Sequence, residues 1–194
     1  IRVQSLTIIM LPQPETLSLA EQKLYQEQQL PGLLEYVQKN SKFYAALFQK
    51  HKIDIHNIKT LEDLQQLPVT TKDDIQHNNS DFICVPPVKI IDYITTSGTL
   101  GDPVTFPLTD KDLERLAYNE YISFICAGAT PEDIFQLMTT LDRRFMAGLA
   151  YFLGIRKLGA GVVRVGAGIP ELQWDTINRI HPTAFVTVPS FLLK

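Results

Sequence analysis

The chain has 194 residues, 45% of them hydrophobic and 20% charged, with 18 Lys and Arg against 21 Asp and Glu for a net charge of −3. A chain of this length buries roughly 70% of its unfolded surface in a packed core, and without a basic surplus nucleic acid is excluded as its main partner. The longest unbroken apolar run, Phe145–Ile155, has 11 residues, where a membrane-spanning helix needs about 20, so no membrane span is predicted.

The sequence begins at Ile1, which makes Met10 a candidate start, and the short apolar stretch Leu6–Leu11 is followed by no small-residue cleavage site. No secretory signal is predicted. Apolar residues recur at helical spacing from Leu17 to Leu30, from Leu33 to Val37, and across Phe43, Ala46 and Leu47, which predicts a helical first third. Pro31 fits a first helical position, so one helix is expected to stop before it and another to start there. Ser41 is predicted to cap the helix carrying Phe43, Tyr44 and Phe48, Thr60 to cap a short helix ended by Pro68, and Thr71 to open another.

From Ile90 the pattern changes to β. Strands are predicted over 90–96 and 104–108, followed by a helix capped by Thr109, with Leu113, Leu116, Ala117, Tyr121, Phe124 and Ile125 on one face and Gly128 as its stop. Strands over 134–139, 161–165 and 184–188 then alternate with helices over 145–158, closed by Gly159, and over 170–180, while 190–194 reads as the first turn of a further helix. This alternation predicts an α/β fold with right-handed crossovers and a largely parallel sheet covered on both faces. The expected organisation is a mainly helical segment, 1–89, and an α/β nucleotide-binding part, 90–194, together one incomplete structural domain.

Between the first two strands, Thr95-Thr96-Ser97-Gly98-Thr99-Leu100-Gly101 places four hydroxyls and two glycines in seven positions. Consecutive N–H groups with hydroxyls beside them can cradle an anion, and glycines let the backbone approach it, so a polyphosphate is the natural ligand. An ordinary loop between strands is the alternative. The stretch lacks the Gly-x-x-x-x-Gly-Lys-Ser/Thr pattern of a P-loop.

Thr96-Ser97-Gly98-Thr99-Leu100-Gly101-Asp102-Pro103 resembles the Ser/Thr-Ser-Gly-Thr-Thr-Gly-Lys-Pro loop of the adenylate-forming acyl-CoA synthetases, and specifically of the phenylacetate-CoA ligase family. Asn40-Ser41-Lys42-Phe43-Tyr44, the stretch from Leu64 to Asp74 with its Leu67-Pro68-Val69-Thr70-Thr71-Lys72 centre, Lys157-Leu158-Gly159-Ala160 and Val188-Pro189-Ser190-Phe191 resemble family segments in the same order. The resemblance implies the amino-terminal portion of a larger adenylate-forming domain. It implies a ligase that activates a carboxylic acid, phenylacetate or another aryl acid, as acyl-adenylate with ATP and passes the acyl group to coenzyme A. Thr96, Ser97, Gly98, Thr99 and Gly101 would hold the β- and γ-phosphates, with Mg²⁺ bound to those oxygens by residues outside this chain. The catalytic lysine would lie beyond Lys194, so the chain alone is expected to be inactive. Two positions depart from the family pattern: Asp102 stands where the loop lysine is expected, and Leu100 where a second threonine is. They keep a noncatalytic nucleotide-binding or scaffold relative open as the alternative.

Gly166-Ala167-Gly168 follows a predicted strand and opens a helix, the setting of a dinucleotide-binding turn, but Glu171 occupies the third glycine position and the next strand ends without an acidic residue for a ribose. In the resembled family the equivalent turn lies beside the acyl-substrate or nucleotide pocket, which makes Gly166 and Gly168 candidate pocket residues; Phe145, on an apolar helix, is a candidate for an aryl-acid pocket, with core packing as the alternative. Asp142-Arg143-Arg144 follows a strand at the ligand-binding edge of an α/β sheet, where an arginine can pair with a phosphate or a carboxylate; solvated surface charge is the alternative. Cys84 and Cys126 stand in neither a CxxC pair nor metal-ligand spacing, which predicts buried thiols in a reducing, cytoplasmic compartment. His51, His56, His77 and His181 are scattered, so no metal site is predicted. The implied partners are the acid, ATP and CoA, with a homodimer left open.

Overall fold

The computed structural model describes residues 13–96 and 103–193. In chain order the elements are helices α1 (Gln13–Thr16), α2 (Leu19–Asn40), α3 (Lys42–Lys50) and α4 (Lys72–His77), strands β1 (Asp92–Thr95) and β2 (Thr105–Leu108), then α5 (Asp110–Cys126), β3 (Ile134–Leu137), α6 (Met146–Leu158), β4 (Gly161–Arg164), α7 (Pro170–Ile180), β5 (Ala184–Val186) and α8 (Pro189–Leu192). They divide into two compact units, one from residues 13–90, 96 and 103–107, the other from 91–95 and 108–193.

The first unit is helical. Its core is Leu30, Leu34, Phe48, Ile55 and Ile58, with Val37, Tyr44, Ile53 and Leu67 packed against it. Ser18 and Glu21 form a capping box at the start of α2, and Thr71 and Asp74 form another at α4, each satisfying two N–H groups that a helix start leaves unpaired. Contrary to the expected break, α2 runs unbroken through Pro31. An interior proline costs about 3 kcal/mol. Leu30 and Leu34, on either side of it, are both buried, and two buried leucines contribute about as much as the proline costs, so packing decides against the local signal.

Ser41 joins two helices. Its N–H donates to Val37 O at the end of α2, its Oγ accepts from Tyr44 N–H at 3.2 Å as the predicted cap of α3, and its hydroxyl donates to Asp81 O at 2.8 Å. The residues after Thr60 form a 3₁₀ turn, Glu62–Gln66, rather than an α-helix. Asn79 acts as a piece of strand: its side chain donates to Thr105 O at 3.0 Å and accepts from Thr105 N–H at 3.2 Å.

The second unit carries a parallel three-stranded sheet in the order β4-β3-β5, with Phe135 opposite Val162 on one side and Ala184 on the other. The chain moves from β3 to its neighbour β4 through α6, then passes back across β3 to reach β5 through α7. Right-handed crossovers in opposite directions put the two helices on opposite faces of the sheet. Side-chain alternation agrees: Phe135 packs with Phe124, Ile155 and Leu158 of α5 and α6, while the next residue, Gln136, meets Gln173 of α7. Helix α6 sits very close to its neighbours. A Cβ at Gly154 would overlap the Glu120 side chain of α5, and one at Gly148 would overlap the Thr140 carbonyl oxygen.

Helix α7 has the predicted bounds, whereas β3, β4 and β5 end one or two residues short of theirs, where the chain turns into loops at the carboxyl edge. Cys126 is exposed and Cys84 only half-buried: Cys126 falls on the outer side of the last turn of α5, where the apolar stripe of Ala117 and Phe124 faces the other way. Burial pushes the Cys84 thiol pKa up. No described helix is long and apolar enough to cross a membrane.

Candidate functional site

At the carboxyl edge of the sheet in the second unit, β3 continues as Met138, whose N–H donates to Val186 O at 2.9 Å, and then leaves as the segment 139–145. The strand β4 ends against the same place. Val165 N–H and Gly166 N–H both donate to Leu137 O, at 3.1 and 3.0 Å. The glycine turn and the segment leading to Phe145 therefore leave the sheet side by side, at the edge where open α/β sheets bind ligands. Thr95 N–H, at the end of β1, donates to Arg144 O at 3.2 Å.

The backbone of 139–145 is strained. Arg143 and Arg144 both have φ of 59°, a region that non-glycine residues enter at a cost. Asp142 accepts from the Thr140 hydroxyl and lies 3.9 Å from Arg143, with both charged groups largely in solvent. That supports the surface-charge reading of Arg143, while Arg144 has no ion-pair partner among the described residues. Phe145 stands at the start of α6, 46% exposed.

The turn after β4 places Gly166 at φ 79°, Gly168 at φ 84° and Ile169 at φ 47°. A Cβ on either glycine would meet nothing, so the glycines serve the backbone angle and not a close approach. Gln173, 6% exposed, reaches back from α7 and donates its Nε2 to Gly166 O at 2.9 Å and Gly168 O at 3.0 Å. Its Oε1 in turn accepts from Gln136 Nε2 at 2.7 Å. Gln136 is fully buried, and its own Oε1 has no partner among the described residues; nor has Thr139 Oγ1. The glutamines were not among the sequence candidates. A polar residue in the centre of Ile134-Phe135-Gln136-Leu137-Met138 was the available signal.

Of the hydroxyl-rich loop, Ser97, Gly98, Thr99, Leu100, Gly101 and Asp102 lie outside the described residues. Its flanks are described. Thr96 N–H donates to Val104 O at 3.0 Å and Thr96 Oγ1 accepts from Val104 N–H at 3.0 Å. Thr96 thus pairs twice with Val104, and its hydroxyl proton meets no acceptor among the described residues. Among the described residues no cluster of His, Cys, Asp or Glu fits a metal ion. A cavity of about 460 Å³ in the helical unit, lined by Glu27, Pro31, Glu35, Ile55, His56, Ile58 and Lys59, contains none of the predicted site residues.

No family model matches the chain. Phenylacetate-coenzyme A ligase of Escherichia coli (strain K12) is 29% identical over 181 residues, 93% of this chain and 41% of that protein. The enzyme of the same name from Thermus thermophilus is 31% identical over 185 residues, 94% of this chain and 41% of that protein. The chain is homologous to the phenylacetate-CoA ligases. It spans about two-fifths of the length of these relatives. A crystal structure of 2-hydroxyisobutyryl-CoA ligase in an open conformation, in complex with 2-HIB-AMP and CoA, superposes with a TM-score of 0.82 at 24% identity, over 92% of this chain and 43% of that one. At that identity the likeness establishes the fold, an α/β part of a larger domain. The dinucleotide alternative also fails on topology: β4 and β5, joined by the helix after the glycine turn, are separated by β3, whereas the strands of a dinucleotide-binding βαβ unit are neighbours.

Proposed function

We propose that this relative of the phenylacetate-CoA ligases belongs to an AMP-forming acid:CoA ligase whose acid is phenylacetate or another aryl acid. The observation that carries the reading is homology along more than nine-tenths of the chain, with the phosphate-loop motif set where β1 ends. In the first step the acid carboxylate attacks the α-phosphate of ATP, the bond to the β-phosphate breaks, and pyrophosphate leaves an acyl-adenylate. In the second the CoA thiol attacks the acyl carbon, AMP departs, and the thiol proton passes to solvent or a base.

Neither step requires a nucleophile from this chain, whose contribution is positioning and fixed donors. Thr96 to Gly101 hold the β- and γ-phosphates, with the Thr96 hydroxyl free to donate. Gly166, Gly168 and Phe145 border the acid. Mg²⁺ enters only as the companion of the polyphosphate, since the described residues supply no carboxylate cluster for it. A carboxylate at Asp102 aimed at a triphosphate from about 4 Å would cost on the order of 4 kcal/mol at an effective dielectric near 20, so Asp102 is not proposed as a phosphate contact.

The test is pyrophosphate release by the complete gene product given ATP, Mg²⁺, CoA and a panel of aryl and short-chain acids. Acid-dependent release, best with aryl acids, is expected, and Ser97→Ala or Thr99→Ala should slow it about tenfold while Asp102→Asn leaves ATP affinity near the wild type. A folded protein releasing no pyrophosphate with any acid would make it a nucleotide-binding relative without catalysis.

A further inference from the structure

We infer that Gln136 and Gln173 are positioning residues that set the glycine turn for the acid substrate; the inference rests on the ligase reading above. The hydrogen bonds have one consistent direction. Gly166 O and Gly168 O can only accept, so Gln173 must present Nε2 to them, its Oε1 must face Gln136, and Gln136 must answer with Nε2. Gln136 Oε1 is then left with no partner among the described residues in a fully buried place.

Two features show that this arrangement is not the most stable way to fill the space. An unpartnered buried amide oxygen is a penalty that two apolar side chains of similar volume would avoid. The turn it holds includes Ile169, a β-branched residue at φ 47°, which is strained in that region. Both costs fall at the carboxyl edge of the sheet, beside the segment to Phe145. What the glutamines accomplish is orientation. Each trans peptide is planar, with its carbonyl and N–H pointing in opposite directions. Drawing the carbonyls of Gly166 and Gly168 inward to Gln173 therefore turns the N–H groups of Ala167 and Ile169 outward, and neither meets an acceptor among the described residues. The central strand thus dictates, through two side chains, which face the turn shows to the edge.

The experiment measures KM for acid and for ATP separately in the complete gene product, alongside melting temperature. Gln173→Leu should raise KM for the acid at least tenfold and leave KM for ATP within twofold. Gln136→Leu removes its own unpartnered oxygen but leaves Gln173 Oε1 without its donor, so it should melt near the wild-type temperature and still raise the acid KM about threefold. The double variant should be no worse than Gln173→Leu, because both act along one path. Gln173→Glu is isosteric but offers the two carbonyls no donor when ionised, so it should be worse than Gln173→Leu above neutral pH, an order that a space-filling role would reverse. If Gln173→Leu fails to fold, Gln173→Met carries the same comparison. Variants that lower the melting temperature with acid KM unchanged, or that raise ATP KM alone, overturn the inference while leaving the ligase reading intact. A wild-type protein with no acid-dependent pyrophosphate release overturns both.

Discussion

The helical unit and the α/β unit keep their irregularities in different places. In the helical unit the buried polar residue Ser41, 1% exposed, has its N–H and hydroxyl fully used, and Lys52 is its one described non-glycine residue at positive φ. In the α/β unit Gln136 and Thr139 keep buried oxygens with no partner among the described residues, and Arg143, Arg144, Ile169 and His181 all have positive φ. His181 is the ordinary left-handed stop of α7. The rest gather where β3 and β4 run out. Conflicts between local rules cost stability, and in the proposed reading they gather at the edge assigned to the ligand.

The comparison breaks most sharply at Gly148. Its missing Cβ lets α6 lie against the Thr140 carbonyl, and a backbone oxygen cannot rotate aside as a side chain would. Gly148→Ala should cost about 3 kcal/mol in urea unfolding, where the same change at Gly32, which has open space around it, should stabilise α2 by roughly 0.5–1 kcal/mol through helix propensity. Equal effects at the two glycines would show that the edge is not tightly held.

How far the sequence was legible follows the same division. The caps at Ser41, Thr71 and Thr109, the bounds of α7 and the parallel βα alternation are local signals, each carried by a few neighbouring residues, and all are present in the structure. Pro31 misled because the burial of Leu30 and Leu34 is a tertiary effect that no window of sequence displays. The exposed side of Cys126 depends on which way α5 turns its stripe. The Gln136–Gln173 bond joins residues 37 apart, so the sequence marked the glycine turn as a candidate without showing what holds it.

Ser41→Ala sharpens the comparison from the helical side. It removes the cap of α3 and the bond to Asp81 O together, and should cost about 2 kcal/mol. The opposite sign is expected at the edge of the α/β unit. Arg144→Gly relieves a left-handed residue and breaks no described ion pair, so it should raise stability by about 0.5–1 kcal/mol, as should Arg143→Gly in excess salt. A loss of stability in either would mean that these side chains hold the segment in place.

The smallest effect concerns acid. In the helical unit the backbone N–H groups of Lys59 and Thr60 hold the Asp63 carboxyl below the usual carboxylate range, and the Thr71 hydroxyl and N–H do the same for Asp74. A folded-state pKa below the unfolded one contributes stability that is present above the unfolded value and lost as pH falls through the folded value. In the α/β unit Glu120, next to Gly154, is shifted the other way by burial. Its carboxyl binds a proton more readily when folded, so its contribution weakens as pH rises from the unfolded value through the folded one. Melting followed from pH 7 to pH 3 should therefore show Asp63→Asn and Asp74→Asn flattening the acid loss, and Glu120→Gln raising the melting temperature at pH 7 while changing it little at pH 3. Solvent screens the exposed aspartates, so their changes are the least of those named here. If Glu120→Gln lowers the melting temperature at pH 7, the ionised carboxylate has a partner that burial alone does not reveal, and the contrast between Glu120 and the capping aspartates fails.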